Sequence, residues 1–168
     1  MTHLEGKIDR VWSLMQQIEV AMVVTHDGHG DQLRGRPMAA HPVPQENAIF
    51  FLTDAEAAKD DEVNRNNNVC LAFADIKAQK YVSVTGLANL SDDRDTIRQL
   101  WSNTDKAYWK DENDPSIRLL RVVPTFAEYW DSPGVVVSYV KMVGAALTGG
   151  KPERRDNEKV ELSASVRS

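Results

Sequence analysis

The sequence has little of what builds a cross-linked, metal-held or membrane-spanning protein. Cys70 is the one cysteine among 168 residues, which excludes an internal disulfide framework and a cysteine-based zinc cage. The longest apolar stretch, 135–147, is interrupted by Lys141 and is too short to cross a bilayer. The first residues show no basic segment followed by an apolar run. We therefore expect no secretory signal, no membrane partner and a cytoplasmic protein.

An excess of positive charge is also missing. The chain has 20 basic and 25 acidic residues and a net charge of −5. This balance argues against a general polyanion binder, so we expect no nucleic-acid partner, while a local basic pocket is compatible with it. The length fits one domain with a core of its own. We assign residues 1–150 to that domain and residues 151–168 to a polar C-terminal tail.

Apolar periodicity predicts a mainly β (α+β) protein with flanking helices. Thr2 and Glu5 form a potential capping box, and apolar residues at helical spacing continue it to residue 19. Short β-rich runs joined by turns follow, which favours an antiparallel barrel over a parallel sheet. The predicted strands are 20–25, 33–43, 48–53, 69–74, 81–88 and 117–130, and the further predicted helices are 54–66, one starting near residue 91, and 135–147.

Glycine and proline mark irregular places in these strands. Gly86 shifts the alternation of its strand, which predicts a β-bulge. Pro37 and Pro42 restrict their run to a sheet edge or a bulge, since proline donates no ladder hydrogen bond. Pro124 predicts an interruption in the long strand that contains it.

Two short segments are candidates for an anion site. Arg34 and Arg36 are two residues apart and share one face of a strand, and guanidinium groups suit phosphate or carboxylate; the alternative is a solvated edge with salt bridges. Thr53 ends another strand before the N-cap Asp54 of a short helix that carries Lys59. Such a helix start accepts anions; the alternative is a capped helix with an exposed lysine. Together, the two segments could converge on one phosphate.

Other candidate chemistry is weaker. His26, His29 and His41 have no helical spacing, and two of them lie in a glycine-bearing turn, so we expect no metal site. Cys70 lies in an apolar strand, which favours an inert buried thiol over a nucleophile. No side chain stands out as a general acid or base.

The order and spacing of several motifs resemble the pyridoxamine 5′-phosphate oxidase-like, FMN-binding split-barrel family, and most closely its general stress protein branch. The resemblance covers about residues 5–150. It implies a six-stranded antiparallel split β-barrel that forms a homodimer, with FMN at the subunit interface. The residues that carry it are Arg36-Pro37-Met38, Phe51-Leu52-Thr53-Asp54, Lys59 with Glu62, 66–73, Tyr81-Val82-Ser83-Val84-Thr85-Gly86, Leu119-Leu120-Arg121-Val122 and Ala127-Glu128-Tyr129-Trp130-Asp131.

The resemblance also implies a set of cofactor-binding residues. Arg36 and Lys59 would hold the FMN phosphate, with a contribution from Thr53. The strands around Pro37 and Met38 and around Phe51 and Leu52 would run along the flavin ring, and Asp54 completes this segment. Aromatic residues of the partner subunit would close the site; Tyr129 and Trp130 are the first candidates and Trp109 the next.

Two departures from the family pattern bear on function. Ala57 stands where many relatives place a serine, two residues before the lysine, and the C-terminal Trp and Arg-Leu-x-Pro signature of the true oxidases is absent. The resemblance therefore implies an FMN-dependent, stress-related oxidoreductase for a small molecule, without implying pyridoxamine phosphate as that substrate. The alternatives are a non-catalytic flavin carrier or sensor, and the same scaffold with FAD or a deazaflavin; haem is the least favoured ligand.

Overall fold

Antiparallel strand pairing organises the part of the chain that the computed structural model describes, residues 2–26, 31–58, 66–131 and 157–162. Lys59, Glu62 and the helix expected at 135–147 lie outside these residues. The helices are α1 (His3–Ile18), α2 (Ala55–Ala58) and α3 (Arg94–Leu100), and the strands are β1 (Val20–His26), β2 (Leu33–Ala39), β3 (His41–Val43), β4 (Ala48–Asp54), β5 (Asn68–Asp75), β6 (Lys80–Ser91), β7 (Ile117–Asp131) and β8 (Asn157–Glu161). Short 3-10 helices span Pro44–Glu46 and Asn103–Ala107.

The strands form one curled antiparallel sheet, the split barrel that the resemblance implies. Its order is β2-β1-β5-β6-β7-β4-β3, and β8 pairs with the second half of β7. Eight strands are present among the described residues, where six were expected. One of the two extra strands arises because the run 33–43 changes its partner at Ala40, from β1 before it to β4 after it. The N–H of Ala40 donates to the carbonyl of Glu19 at 2.8 Å, which extends the pairing with β1 by one residue.

The other extra strand, β8, falls within the range expected to be a polar tail. Val160 and Leu162 are buried in the main core, while Lys159 and Glu161 between and beside them are exposed. This alternation is short and dominated by charge, so composition alone hides it. The strand has a place to pair because β4 covers only residues 117–122 of that edge of β7.

Several local predictions are confirmed. The Thr2–Glu5 capping box starts α1, and the register between β6 and β7 shifts at Thr85/Gly86. The extra residue of this bulge is Thr125 on β7, however, and the alternation of β6 itself continues through Gly86. Pro37 and Pro42 lie on β2 and β3, the two terminal strands of the sheet order. Pro124 does not interrupt β7, because it pairs opposite Gly86 at the register shift and so disturbs no regular ladder position.

Two apolar clusters cover opposite faces of β4. Phe51 belongs to the main core, where the buried side of α1 packs against the inner face of the barrel. Phe50 belongs to a second cluster with Ile97 of α3 and with Ile117 and Leu119 of β7. Among the described residues, no helix is long and apolar enough to cross a membrane.

Candidate functional site

One end of the sheet gathers most of the predicted site. The pairing Thr25–Arg34 joins the end of β1 to the start of β2, and Asp54–Ile117 joins the end of β4 to the start of β7. Because all neighbouring strands are antiparallel, the ends of β1 and β4 and the starts of β2, β5 and β7 point toward the same end of the sheet. We call this the Thr53 end of the sheet. Arg34, Arg36, Thr53 and Asp54 all lie toward it.

Arg36 and Thr53 share the core face of the sheet at this end. Opposite residues of an antiparallel pair lie on one face, so Arg36 lies on the same face as its buried partner Val23. Successive residues of a strand alternate between faces, so Thr53 lies on the face of the buried Phe51. Both polar side chains therefore lie on the core face just beyond the apolar core residues, toward the Thr53 end of β2 and β4.

The surroundings of Arg36 distinguish it from Arg34. Arg36 is half-buried, and its Nη2 lies 3.4 Å from the hydroxyl of Thr25, which is 1% exposed. Arg34 is one alternation further toward the end and is exposed. The guanidinium of Arg36 is thus the more enclosed of the two, and electrostatic attraction to an anion is stronger where less water screens it.

Asp54 points away from Thr53, onto the face of the second cluster. Its Oδ1 accepts the backbone N–H of Glu56 at 2.8 Å, and its Oδ2 accepts the indole N–H of Trp109 at 3.3 Å. The backbone N–H of Glu56 is the main cause that holds the pKa of Asp54 below its usual range, and the indole of Trp109 adds to it. The carboxylate is therefore charged and engaged on the side of β4 opposite the proposed phosphate residues.

The predicted ring-lining residues fall into different environments. Met38 is half-buried and packs against the main core, whereas Pro37 is exposed on the outer face. Phe51 is fully buried, so its ring lies within the core, and Leu52 packs against the second cluster. Of this set, Met38 lies on the core face with Arg36, two residues further along β2.

Tyr129 and Trp130 are not brought to the Thr53 end of the same chain. Thr53 pairs with Arg118 near the start of β7, and Tyr129 follows eleven residues later, about 35 Å along the strand at roughly 3.3 Å per residue. Tyr129 packs against the main core, and burial, followed by the charge of Glu158, raises its pKa. Trp130 pairs with Tyr81 and lies on the outer face.

Of the three aromatic candidates, Trp109 is the one that the structure brings to the Thr53 end. From the sequence it is the candidate after Tyr129 and Trp130, since its contact with Asp54 crosses 55 positions and follows from no local pattern. The available signal was a cluster of Trp101, Tyr108 and Trp109 in an otherwise polar segment. Their rings lie 6.4 Å (Trp101–Trp109) and 5.8 Å (Tyr108–Trp109) apart.

The comparison with known proteins decides the family. The family described as pyridoxamine 5′-phosphate oxidase like matches residues 6–153. This chain belongs to that family. The resemblance drawn from the motifs is therefore confirmed.

Three relatives illustrate the place of this member of the pyridoxamine 5′-phosphate oxidase-like family. Protein bli-3 of Neurospora crassa is 26% identical over 159 residues, which cover 89% of this chain and 76% of that protein. A structure called general stress protein 26, from Jannaschia sp. CCS1, has a TM-score of 0.73 at 20% identity and covers 95% of this chain and 99% of its own. The general stress FMN/FAD binding protein of Xanthomonas citri has a TM-score of 0.64 at 22% identity, over 80% of this chain and 94% of its own. The two structures share the fold of this chain.

Proposed function

We propose that this chain binds FMN at the Thr53 end of its sheet and acts, as a homodimer, as an oxidoreductase on a small molecule. The observation that carries the proposal is the position of Arg36 and Thr53, which both lie on the core face of the sheet, toward the same end of their strands. The family of the chain and the flavin-binding relative from Xanthomonas citri support the choice of ligand.

The donors at this end fit a phosphate monoester. The guanidinium of Arg36 presents a fork of N–H donors that suits phosphate oxygens, and the hydroxyl of Thr53 can donate one hydrogen bond. Each charge-assisted hydrogen bond contributes about 1.5–3 kcal/mol. Lys59, four positions after the start of α2 in the sequence, is the third proposed phosphate ligand.

The edge of the sheet next to these donors fits a planar ring system. β2 is a terminal strand in the described part of the sheet, and an edge strand presents backbone N–H and C=O groups to a neighbour. Such groups can pair with the polar edge of a flavin ring, and Met38 supplies an apolar contact beside them. When bound, FMN would supply hydride or electron transfer, while these residues hold it, orient it and exclude water.

The outer face of β1, β2 and β5 supports the proposed homodimer. Its residues include none of the four charged types Asp, Glu, Lys and Arg, and two of its apolar side chains, Val20 and Met22, are 50% and 41% exposed. An apolar face of this kind marks an interaction surface. We propose that a second copy covers it, which would bring aromatic residues of the partner, Trp130 first among them, toward the cofactor.

The absorption spectrum of the purified protein, with chromatography of the released ligand, tests the cofactor. We expect the spectrum of an oxidised flavin and the release of FMN. Release of FAD or of a deazaflavin would correct the cofactor, and a colourless protein that FMN does not reconstitute would contradict the proposal.

Turnover separates an enzyme from a flavin carrier or sensor. The FMN-loaded protein is given a reduced nicotinamide and an artificial electron acceptor, and oxidation of the nicotinamide is followed at steady state. Continuous oxidation supports the oxidoreductase. A bound flavin that stays oxidised with every donor supports the non-catalytic binding protein instead.

A further inference from the structure

We propose that Trp109 is a positioning residue of the phosphate site, and that it acts through Asp54. The inference rests on the proposed binding of FMN. It names a residue outside the direct phosphate ligands and assigns Asp54 a role other than that of a ligand.

Asp54 lies at the point where the chain leaves the sheet. Thr53 occupies the last core-facing position of β4, and α2 begins at Ala55. Three hydrogen bonds define this turn: Ala55 N–H to the carbonyl of Ser116 at 2.7 Å, Glu56 N–H to Asp54 Oδ1, and the Trp109 indole to Asp54 Oδ2. Both carboxylate oxygens are thus engaged, each by a different part of the chain.

A direct role of Asp54 at the phosphate is unfavourable on electrostatic grounds. A charged carboxylate repels a phosphate dianion, and strand alternation sends the Asp54 side chain to the face opposite Thr53. The indole N–H of Trp109 and the N–H of Glu56 stabilise the carboxylate on that face. Asp54 therefore serves as the link between Trp109 and the segment that carries Thr53 and leads to Lys59.

Trp109 is itself held firmly enough to act as a fixed support. Its ring packs against the second apolar cluster and lies against Trp101 and Tyr108. Its backbone N–H donates to the carbonyl of Asp105, whose side chain is buried and accepts both the N–H and the hydroxyl of Ser102. A rigid second layer of this kind is what keeps binding groups in a productive geometry.

The test compares FMN with riboflavin, which has the same ring and no phosphate. Trp109→Phe keeps an aromatic ring and loses the indole N–H. We expect its affinity for FMN to fall about 3- to 10-fold, the value of one hydrogen bond, and its affinity for riboflavin to stay unchanged. The matched control is Trp101→Phe, the same chemical change in the same cluster, which should leave both affinities unchanged.

A double variant tests whether Trp109 affects FMN affinity through its hydrogen bond to Asp54. If it does, Trp109→Phe combined with Asp54→Ala binds FMN no more weakly than Asp54→Ala alone. Asp54→Asn offers an independent route that does not alter the aromatic cluster. An amide replaces one of the two carboxylate oxygens by an NH2 donor, which would face either the N–H of Glu56 or the indole N–H of Trp109. It too should therefore lower the preference for FMN over riboflavin.

The outcomes separate this inference from the proposed function. A wild-type protein without affinity for FMN overturns both. A wild-type preference for FMN that Arg36→Ala abolishes, but that Trp109→Phe and Asp54→Asn leave intact, overturns only the role of Trp109. Equal losses for FMN and riboflavin in Trp109→Phe, or the same loss in Trp101→Phe, would show a merely structural role and overturn it as well.

Discussion

Thr53 and Asp54 are adjacent in the sequence, yet strand alternation gives them opposite surroundings. Thr53 faces the side of the sheet where Arg36 lies, and Asp54 faces Trp109. A hydroxyl that can donate to a phosphate is thereby separated from a carboxylate that would repel it. The proposed site thus depends on single positions in the strand, and a register slip of one residue would exchange the two side chains.

His41 carries a prediction about pH. Burial lowers its pKa from the ordinary value of 6.5, and the nearby carboxylate of Asp105 opposes the shift in part. Just below pH 6.5 the unfolded chain therefore binds more protons at His41 than the folded chain does. The stability that neutral His41 contributes is present above pH 6.5 and is lost as the pH falls toward the lowered pKa of the folded chain. We expect His41→Gln to lose less stability than the wild type between about pH 8 and about pH 5, measured by urea unfolding. Equal losses would contradict the assignment.

The candidate site residues that depend on local pattern can be named from the sequence alone. Arg36 and Thr53 could be found because residue type and alternation along a strand identify them. The contact of Trp109 with Asp54 could not be found in this way, since it depends on how the segment between α3 and β7 folds back onto β4. The buried state of Phe51 was equally inaccessible, because consecutive apolar residues in β4 fill two different clusters.

Among the elements, boundaries followed from the sequence where a local signal marked them. The capping box defines the start of α1, and Gly86 marks the place of the register shift between β6 and β7, although the extra residue, Thr125, lies on β7. The division between β2 and β3 was missed, because it results from a change of pairing partner from β1 to β4 that no local pattern marks. β8 was missed because two buried apolar residues among charged neighbours look like a solvated tail.

Gly86 tests the close packing at the bulge. A Cβ at this position would lie 2.7 Å from Val122 Cγ1 and 2.7 Å from the backbone oxygen of Val123. We therefore expect Gly86→Ala to lower the free energy of unfolding by about 1–3 kcal/mol. The control is Gly6→Ala in α1, where a Cβ has nothing within 4 Å and should raise stability by about 0.5–1 kcal/mol. Chemical denaturation measures both, and a neutral Gly86→Ala would contradict the packing.

Leu162 tests whether the end of β8 is part of the core. Its side chain is fully buried in the main cluster, so Leu162→Ala should cost about 2–5 kcal/mol of stability. Lys159→Ala, an exposed position of the same strand, should change stability by less than about 0.5 kcal/mol. If both substitutions change the urea midpoint by similarly small amounts, Leu162 is not part of the core and the prediction is wrong.

For the molecule as a whole, the apolar outer face and the separation of Trp130 from Thr53 along β7 both favour a functional unit of two chains. In one chain Thr53 pairs with Arg118 near the start of β7, whereas Tyr129 and Trp130 lie near the other end of that strand. A second copy against the outer face could bring them together. The negative net charge does not conflict with an anion site, because Arg36 and Lys59 would need to act only locally.

Met22 tests the proposed dimer. It lies on the outer face of β1 and is 41% exposed, and a charge there would be buried without a partner in the dimer. We expect Met22→Glu to convert the protein to a monomer in analytical ultracentrifugation and to weaken FMN binding. Ile76→Glu, at an exposed apolar residue in the β5–β6 turn, is the control and should leave the dimer intact. A monomeric wild-type protein, or a dimeric Met22→Glu, would contradict the proposed interface.

The central claim is that Arg36 and its neighbours at the Thr53 end hold the phosphate of a flavin nucleotide. Titration of the ligand-free protein with FMN and with riboflavin, followed by flavin fluorescence, tests it most directly. We predict that the wild type prefers FMN and that Arg36→Ala loses at least about tenfold of its affinity for FMN. Riboflavin binding should change little, and Arg98→Ala, at an exposed arginine of α3, should behave as the wild type. Equal affinities of the wild type for FMN and riboflavin, or an Arg36→Ala variant that keeps the preference, would contradict the claim.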